Sequence, residues 1–350
     1  MASSNREAEA RFMRLGLFLN FEHDAQPGAS AFRAQMDLAV KAEALGYDEL
    51  WVSEHHFNHF SQSGSTLPLM AYLAARTSKI RIGSAAILLP LHDPIRVAED
   101  LATIDILSGG RLDLGLARGG PFPVQYRHFH IEADEARERS QEATDFLLRL
   151  LREENVSFTG RWYKSQGLTT WPRLVQKALP VWVASSTKET IIEAGKRGWG
   201  LMAGHGASPA KIDDLVETYK SAAPTSANPD FMVLRNTCIA DTDQEALDLA
   251  MPAIERFIKG MRPMFASDTP LDAPVPASSI DGFLAHAFIG SPETCRRKLA
   301  ELLAGAPVTS IVLKQTWVDP SKSEEIIFRF RTEVMPAFEE AKPVLSVSAG

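Results

Sequence analysis

Cysteine is nearly absent: the 350-residue chain holds two, Cys238 and Cys295, far apart in sequence. Two such thiols build neither a disulfide framework nor a thiolate metal cage, and they suit a reducing compartment. No run of ~18 apolar residues occurs that could span a bilayer, and the opening MASSNREAEARFMRLG has no apolar signal core. The expected address is the cytoplasm, without a membrane partner. Positive charge is also scarce. Thirty-seven lysines and arginines against 44 acids give a net charge of −7 with no basic cluster, which argues against a nucleic-acid surface. No G-x-G-x-x-G follows the first strand-like run; FEHDAQPGAS stands there instead, so a dinucleotide fold has no fingerprint.

What is present is an ordinary globular composition, 45% hydrophobic and 23% charged, ordered in a strict alternation. Strand-like runs fall at 15–20, 47–53, 80–89, 112–118, 179–185, 199–204, 231–240 and 309–317. Amphipathic helical patterns separate them, as in SAFRAQMDLAVKAEALGY, where Phe32, Met36, Ala39, Val40 and Leu45 trace one face and Gly46 closes the end. Eight βα units in sequence describe a single-domain (β/α)8 TIM barrel, an α/β fold, better than an open doubly wound sheet. The barrel is expected over 14–340, between a disordered leader at 1–13 and a flexible tail at 341–350. Two insertions interrupt it: 155–179, read as a hairpin laid over the fourth unit, and 261–290, rich in Pro, Ala and Ser and read as a lid.

Barrel enzymes place their chemistry in the loops at the C-terminal strand ends. There stand Asn20–His23, Glu54–His59, Ala85–Leu89, Ala117–Gly120, Ser185–Thr187, Gly204–His205, Thr237–Cys238 and Lys314–Trp317. LWVSEHHFNHF therefore directs Glu54, His55 and His56 to a common mouth with Arg118 and the Ser185–Ser186 turn. A metal centre made from His55, His56, His59 and Glu54 has the wrong spacing: there is no H-E-x-x-H or H-x-H pair after a strand. No metal is expected. Acid–base work by His55 is the alternative, with His56 or His59 as satisfied structural histidines the plainer one.

VASSTKETIIEAGKRG ends a strand and enters a helix at Ser185-Ser186-Thr187, offering backbone N–H groups and hydroxyls to an anion. An ordinary N-cap would look the same; Arg118, in ARGG at a neighbouring strand end, favours the anion. Ser84-Ala85-Ala86 puts small side chains where a central strand normally carries Val or Ile. That leaves room for a flat ligand, or for a closely packed helix. Gly109-Gly110 should end a helix, with Arg111 pairing an acid as scaffold.

LWVSEHHF, IGSAAILLPLHDPIRVAEDLATIDILSGGRLDLGLARG and VWVASSTKE, in this order, resemble the bacterial luciferase-like flavin monooxygenases. The resemblance implies reduced FMN at the barrel mouth, reacting with O2 as co-substrate to give a flavin hydroperoxide that oxygenates a small organic molecule. The FMN would come from a separate flavin reductase, because the chain has no dinucleotide fingerprint. By this resemblance His55 matches the catalytic histidine, Ala85-Ala86 the pair joined by a cis peptide against the flavin, and Arg118 and Ser186 the phosphate ligands, beside Ser185. Glu54, His56 and His205 fall in the substrate pocket. The sequence departs from the luciferases where Ser185 replaces a glutamate, Glu189 a threonine, Ala117 a cysteine and His205 a bulky aromatic. Glu189 would weaken a phosphate site unless it points away or Lys188 compensates, and light emission is not expected. Relatives pair through helices matching about 66–77 and 94–108, which implies a homodimer. Two further readings stay open: a deazaflavin-dependent hydride-transfer enzyme of the same superfamily, and a flavin-binding protein without turnover.

Overall fold

The computed structural model describes residues 13–22, 29–57, 61–120, 122–224, 229–265, 280–315 and 320–339. His59, most of the expected leader, the tail and residues 266–279 of the expected lid lie outside the described residues. Met13, counted with the leader, packs against the main core.

The first half of the chain runs β1 (Arg14–Leu19), α1 (Ala29–Ala44), β2 (Glu49–Val52), α2 (Thr66–Arg76), β3 (Arg81–Ser84), β4 (Ile87–Leu88), α3 (Pro94–Ser108), β5 (Leu112–Ala117), α4 (Pro123–His128) and α5 (Ala136–Arg152). It continues through β6 (Val156–Thr159), β7 (Lys164–Leu168), β8 (Val181–Ala184), α6 (Lys188–Arg197), β9 (Gly200–Ala203), α7 (Pro209–Lys220) and β10 (Phe231–Ile239). The last elements are α8 (Asp243–Phe265), α9 (Ile280–Ala285), β11 (Phe288–Gly290), α10 (Pro292–Gly305), β12 (Ser310–Lys314) and α11 (Pro320–Arg329). Strands β1, β2, β3, β5, β8, β9, β10 and β12 pair in that order, all parallel, and β12 returns to β1. The eight expected strands thus close a (β/α)8 barrel.

The helices start and stop where local chemistry directs. Asp93 accepts from the Ile95 N–H ahead of Pro94, and α3 ends at Gly109, whose φ of +67° lets the backbone turn back. Ser208 and Ser291 cap α7 and α10 in the same way, each followed by proline. The barrel interior is filled by Trp51, Trp182, Met202, Met232 and Val312. Two glycines make this possible: a Cβ on Gly83 would lie 2.2 Å from the Trp51 ring, and one on Gly200 would lie 2.3 Å from Trp182. Below the tryptophans, Arg14 pairs with Glu49 at 3.3 Å and Asp230 at 2.7 Å, and Arg81 with Asp113 at 2.7 Å. This ionic plug closes the bottom. Burial pushes the Glu49 carboxyl up to about 7, with Arg14 opposing.

Three expectations change. The run 80–89 is two strands, β3 and β4, divided at Ala85–Ala86, whose peptide bond is cis. β10 outruns the barrel: Thr237–Ile239 pair with β11, so this strand reaches the mouth at Asn236, while Cys238 sits in an outer cluster. Arg111 pairs with no acid among the described residues; it donates to the carbonyls of Ala74, Thr77, Ile80 and Ser108, tying the ends of α2 and α3 together. As expected, the 155–179 segment carries an antiparallel hairpin, β6–β7, which lies along α5, the helix of the fourth unit. The hairpin tip at Arg161–Tyr163 is held by Glu142, while Gln176 reaches back to Asp105.

Candidate active site

Strand alternation sets what faces the mouth. Above the interior layer, β5 and β8 end on Ala117 and Ala184, Ala85 directly follows β3, and Ser53 follows β2 before His55. These small side chains form a low floor over half of the mouth. Across from them β12 ends on Lys314 and β1 leads to Asn20 and Glu22.

Beside the floor opens a cavity of about 860 Å3 whose lining includes Ala117, Arg118, Arg137, Ser185, Ser186 and Thr187. The strand-end expectation thus brings Arg118, Ser185 and Ser186 together. Gly119 and Gly120, at φ +120° and +60°, turn the chain after β5. Tyr126 donates its hydroxyl to the Arg118 carbonyl at 3.0 Å, which holds that turn while leaving the guanidinium exposed. Arg118 has no ion-pair partner among the described residues. Thr187 caps α6 without a side-chain hydrogen bond, and Ser185 Oγ accepts from the Thr187 N–H at 3.1 Å. The donor set, an unpaired guanidinium, hydroxyls and the opening amides of a helix, fits a phosphate.

Glu189 also lines this cavity, but its carboxylate lies 3.2 Å from the guanidinium of Arg137. Arg137, on α5, supplies the compensation expected of Lys188, and nothing in the sequence placed α5 across from α6. A larger cavity, about 1090 Å3, lies at the opposite barrel end, lined by Pro180, Trp182, Trp199 and Gly200. It stands at strand starts, where barrels carry stability and not chemistry.

Glu54, His55 and His56 divide their roles. The Glu54 carboxylate is 1% exposed and accepts from His56 Nε2 and His92 Nε2, each at 2.8 Å, on one oxygen. Its other oxygen accepts the Leu88 N–H at 3.1 Å, just after the cis Ala85–Ala86 bond. Burial opposes the Glu54 charge, yet the bonds from His56 and His92 hold its pKa below the usual carboxylate value. Burial likewise opposes a charge on His92, but the Glu54 bond raises its pKa above 6.5. Glu54, His56 and His92 are close enough to one another to ligate an ion; as built they satisfy each other by hydrogen bonds that brace the loop carrying His55. The sequence reading missed His92, although PLHDP held the signal, a histidine just before a capped helix.

His55 is different. Its ring makes no side-chain hydrogen bond among the described residues and stands edge-on to Phe122, with ring centres 6.4 Å apart. Desolvation first, then the nearby Lys314 charge, push its pKa down to about 4, so near neutral pH it is an uncharged imidazole with one donor and one acceptor. His205 packs against Phe257 and Phe283, and burial with Lys314 and Arg235 nearby lowers its pKa to about 3.

Known proteins share the sequence pattern and the fold. The family model described as "Luciferase-like monooxygenase" matches residues 13–310. The oxygenase component of a flavin-dependent trigonelline monooxygenase from Acinetobacter baylyi is 26% identical, aligned over 94% of this chain and 97% of its own. The crystal structure of monooxygenase RslO1 from Streptomyces bottropensis superposes with a TM-score of 0.83 at 25% identity, covering 93% of this chain and all of that one. The oxygenating constituent of 3,6-diketocamphane monooxygenase from Pseudomonas putida, solved with FMN, shares the fold at a TM-score of 0.74 and 21% identity, over 93% and 98% of the two chains. The chain belongs to the luciferase-like monooxygenase family.

Proposed function

We propose that the protein is the oxygenase of a two-component system, using FMN reduced by a separate flavin reductase, together with O2, to oxygenate a small organic substrate. The observation that carries this is one barrel mouth pairing a phosphate-type donor set around unpaired Arg118 with a floor of small residues at Ala85, Ala117 and Ala184. Arg118, Ser185, Ser186 and the first amides of α6 would hold the FMN phosphate, and Ala85, Ala86 and Ala117 would leave space for its flat ring. Reduced FMN would supply the electrons that activate O2. His55 would hold or pass a proton at a ring nitrogen facing the mouth. The missing dinucleotide fingerprint and the trigonelline relative's name as an oxygenase component support an external reductase.

The test is rapid mixing of the protein with anaerobically reduced FMN and oxygenated buffer. Reoxidation of the bound flavin slower than that of free FMN is expected. Reoxidation at the free rate would sink the proposal and move the deazaflavin coenzyme into first place.

Arg118→Ala should weaken FMN about 10- to 100-fold, the worth of one charge-assisted contact. Riboflavin, which lacks the phosphate, should bind within about twofold of its wild-type affinity on the same argument. Equal losses for both ligands in a fluorescence titration would remove Arg118 from the phosphate. The proposal includes a homodimer through α2 and α3, where Tyr72, Ile106 and Leu107 are exposed apolar side chains. A monomeric mass in solution at working concentration would count against it.

A further inference from the structure

We propose that Phe122 is a positioning residue for the oxygenation: α4 carries it from the Arg118 turn to the edge of His55, where its ring keeps water off the imidazole. The proposal rests on the flavin reading above for the reaction that His55 serves, and on its own observations for the shielding.

A helix of six residues such as α4 is too short to hold itself in place. It is fixed from two sides. Toward the phosphate-type site, the buried Gln125 donates its amide to the Gly119 carbonyl, and Tyr126 donates its hydroxyl to the Arg118 carbonyl at 3.0 Å. Toward the histidine loop, Tyr126, Ile131 and Ala136 form a small apolar cluster, against which Leu91 and Phe129 pack. Leu91 precedes His92, whose imidazole bonds Glu54. The two residues flanking the helix therefore land on the two histidines. Phe129, after its last turn, stands edge-on to His56 with ring centres 4.8 Å apart. Phe122, before its first turn, stands edge-on to His55 at 6.4 Å. One short segment thus joins the Arg118 turn to His55.

Desolvation is the first cause of the low His55 pKa, ahead of the charges around it. Of those charges, Lys314 at the end of β12 and His56 disfavour the imidazolium, while Glu54 favours it. The α4 segment adds no charge to that set; what it brings to His55 is an apolar ring. His55 and Phe122 are both partly exposed, so solvent stands beside the pair, and losing the phenyl ring lets water reach more of the imidazole. Water there would solvate the imidazolium and raise the proton affinity of the ring. The neutral form, with one donor and one acceptor nitrogen, is the form that can hold or pass a proton near neutral pH. If Phe122 served packing alone, any side chain that kept the fold would leave His55 unaltered.

Histidine-ring NMR of the whole chain without FMN reads the shielding directly, with His55→Ala assigning the signal. Between about pH 8 and 5 the wild-type His55 ring should stay neutral. In Phe122→Ala its midpoint should rise by about one pH unit or more. Phe122→Leu, apolar and nearly as bulky, should hold the midpoint within about half a unit of wild type, a rescue that general loosening would not give. Phe122→Gln keeps the bulk but admits water; it should titrate like the alanine variant, and it replaces that variant should alanine fail to fold. A wild-type midpoint near the ordinary histidine value, a midpoint unmoved by alanine and glutamine, or one moved as far by leucine would each overturn the proposal. With reduced FMN and O2, Phe122→Ala should bind flavin within about threefold of wild type and reoxidise it at least about threefold faster, because water enters the mouth. An unchanged reoxidation rate would remove Phe122 from the oxygenation. The two readings fail separately. Wild-type reoxidation at the free-flavin rate with the His55 shift intact defeats the flavin reading alone. Slow wild-type reoxidation with an unmoved His55 midpoint defeats the role of Phe122 alone.

Discussion

His55→Ala is expected to bind FMN within about threefold of wild type while coupled product formation falls about 10²- to 10⁴-fold, the range for losing one positioned acid–base group. Three observations separate His55 from its neighbours. Its ring has no side-chain hydrogen bond among the described residues, whereas His56 and His92 are both committed to Glu54. It stands at the mouth between the small-residue floor and Lys314. Its pKa, pushed down to about 4 by desolvation and the Lys314 charge, keeps it neutral through the working range. A neutral imidazole can donate at one nitrogen and accept at the other without first losing a proton, so the pH–rate profile should be flat from pH 8 to 6 and fall only toward 4. A rate that broke near 6.5 would mean an imidazole titrating at its ordinary value, and His55 would lose the role. The same rapid-mixing experiment reads this residue without knowing the substrate. His55→Ala should bring bound-flavin reoxidation close to the free-flavin rate, and undiminished delay would exclude it.

Local sequence specified most of the barrel, and long-range pairing escaped it. Alternating apolar runs and capped amphipathic stretches are local signals, so all eight barrel strands were readable, and strand-end logic alone placed Arg118 beside Ser185 and Ser186. The partnerships that tune the mouth join residues distant in the chain. Glu54 meets His92 across a separation of 38 residues, and neither LWVSEHHF nor PLHDP announces the other. Glu189 is neutralised by Arg137 of α5, a contact fixed by how two outer helices pack. Glu22, just past the first barrel strand, and Lys314, at the end of the last, meet because the barrel closes. Their only local trace is a lysine at the inward end of an apolar strand. Arg111 shows the opposite limit: its charge suggested an acid, but the nearest groups at two helix ends are carbonyls.

His205→Phe should gain on the wild type in acid: the stability difference between variant and wild type should move in the variant's favour by on the order of 3 kcal/mol from pH 7.5 to pH 4. The sign follows from the shift. His205 has a folded-state pKa of about 3 against an ordinary 6.5, because burial and the charges of Lys314 and Arg235 disfavour its imidazolium. The unfolded chain therefore takes up the proton first as pH drops below 6.5, and the folded state loses stability down to about pH 3, beyond which nothing more is lost. His55 behaves alike between 6.5 and about 4. Other groups act differently. Glu49, raised to about 7 by burial, gains a proton first in the folded state and opposes the loss between 7 and 4.5. The raised His92 contributes stability that is full below 6.5 and fades above its own pKa, while the lowered Glu54 contributes above 4.5 and fades as acid protonates it. The wild-type curve alone is thus a sum of opposing parts, and the difference between variant and wild type isolates His205. Phenylalanine suits the site, which Phe257 and Phe283 already line. Thermal melts of both proteins at pH 7.5 and 4 decide it: a variant whose deficit or advantage is the same at both values would mean that His205 is not held neutral, and that its surroundings are wetter than its packing against Phe257 and Phe283 implies.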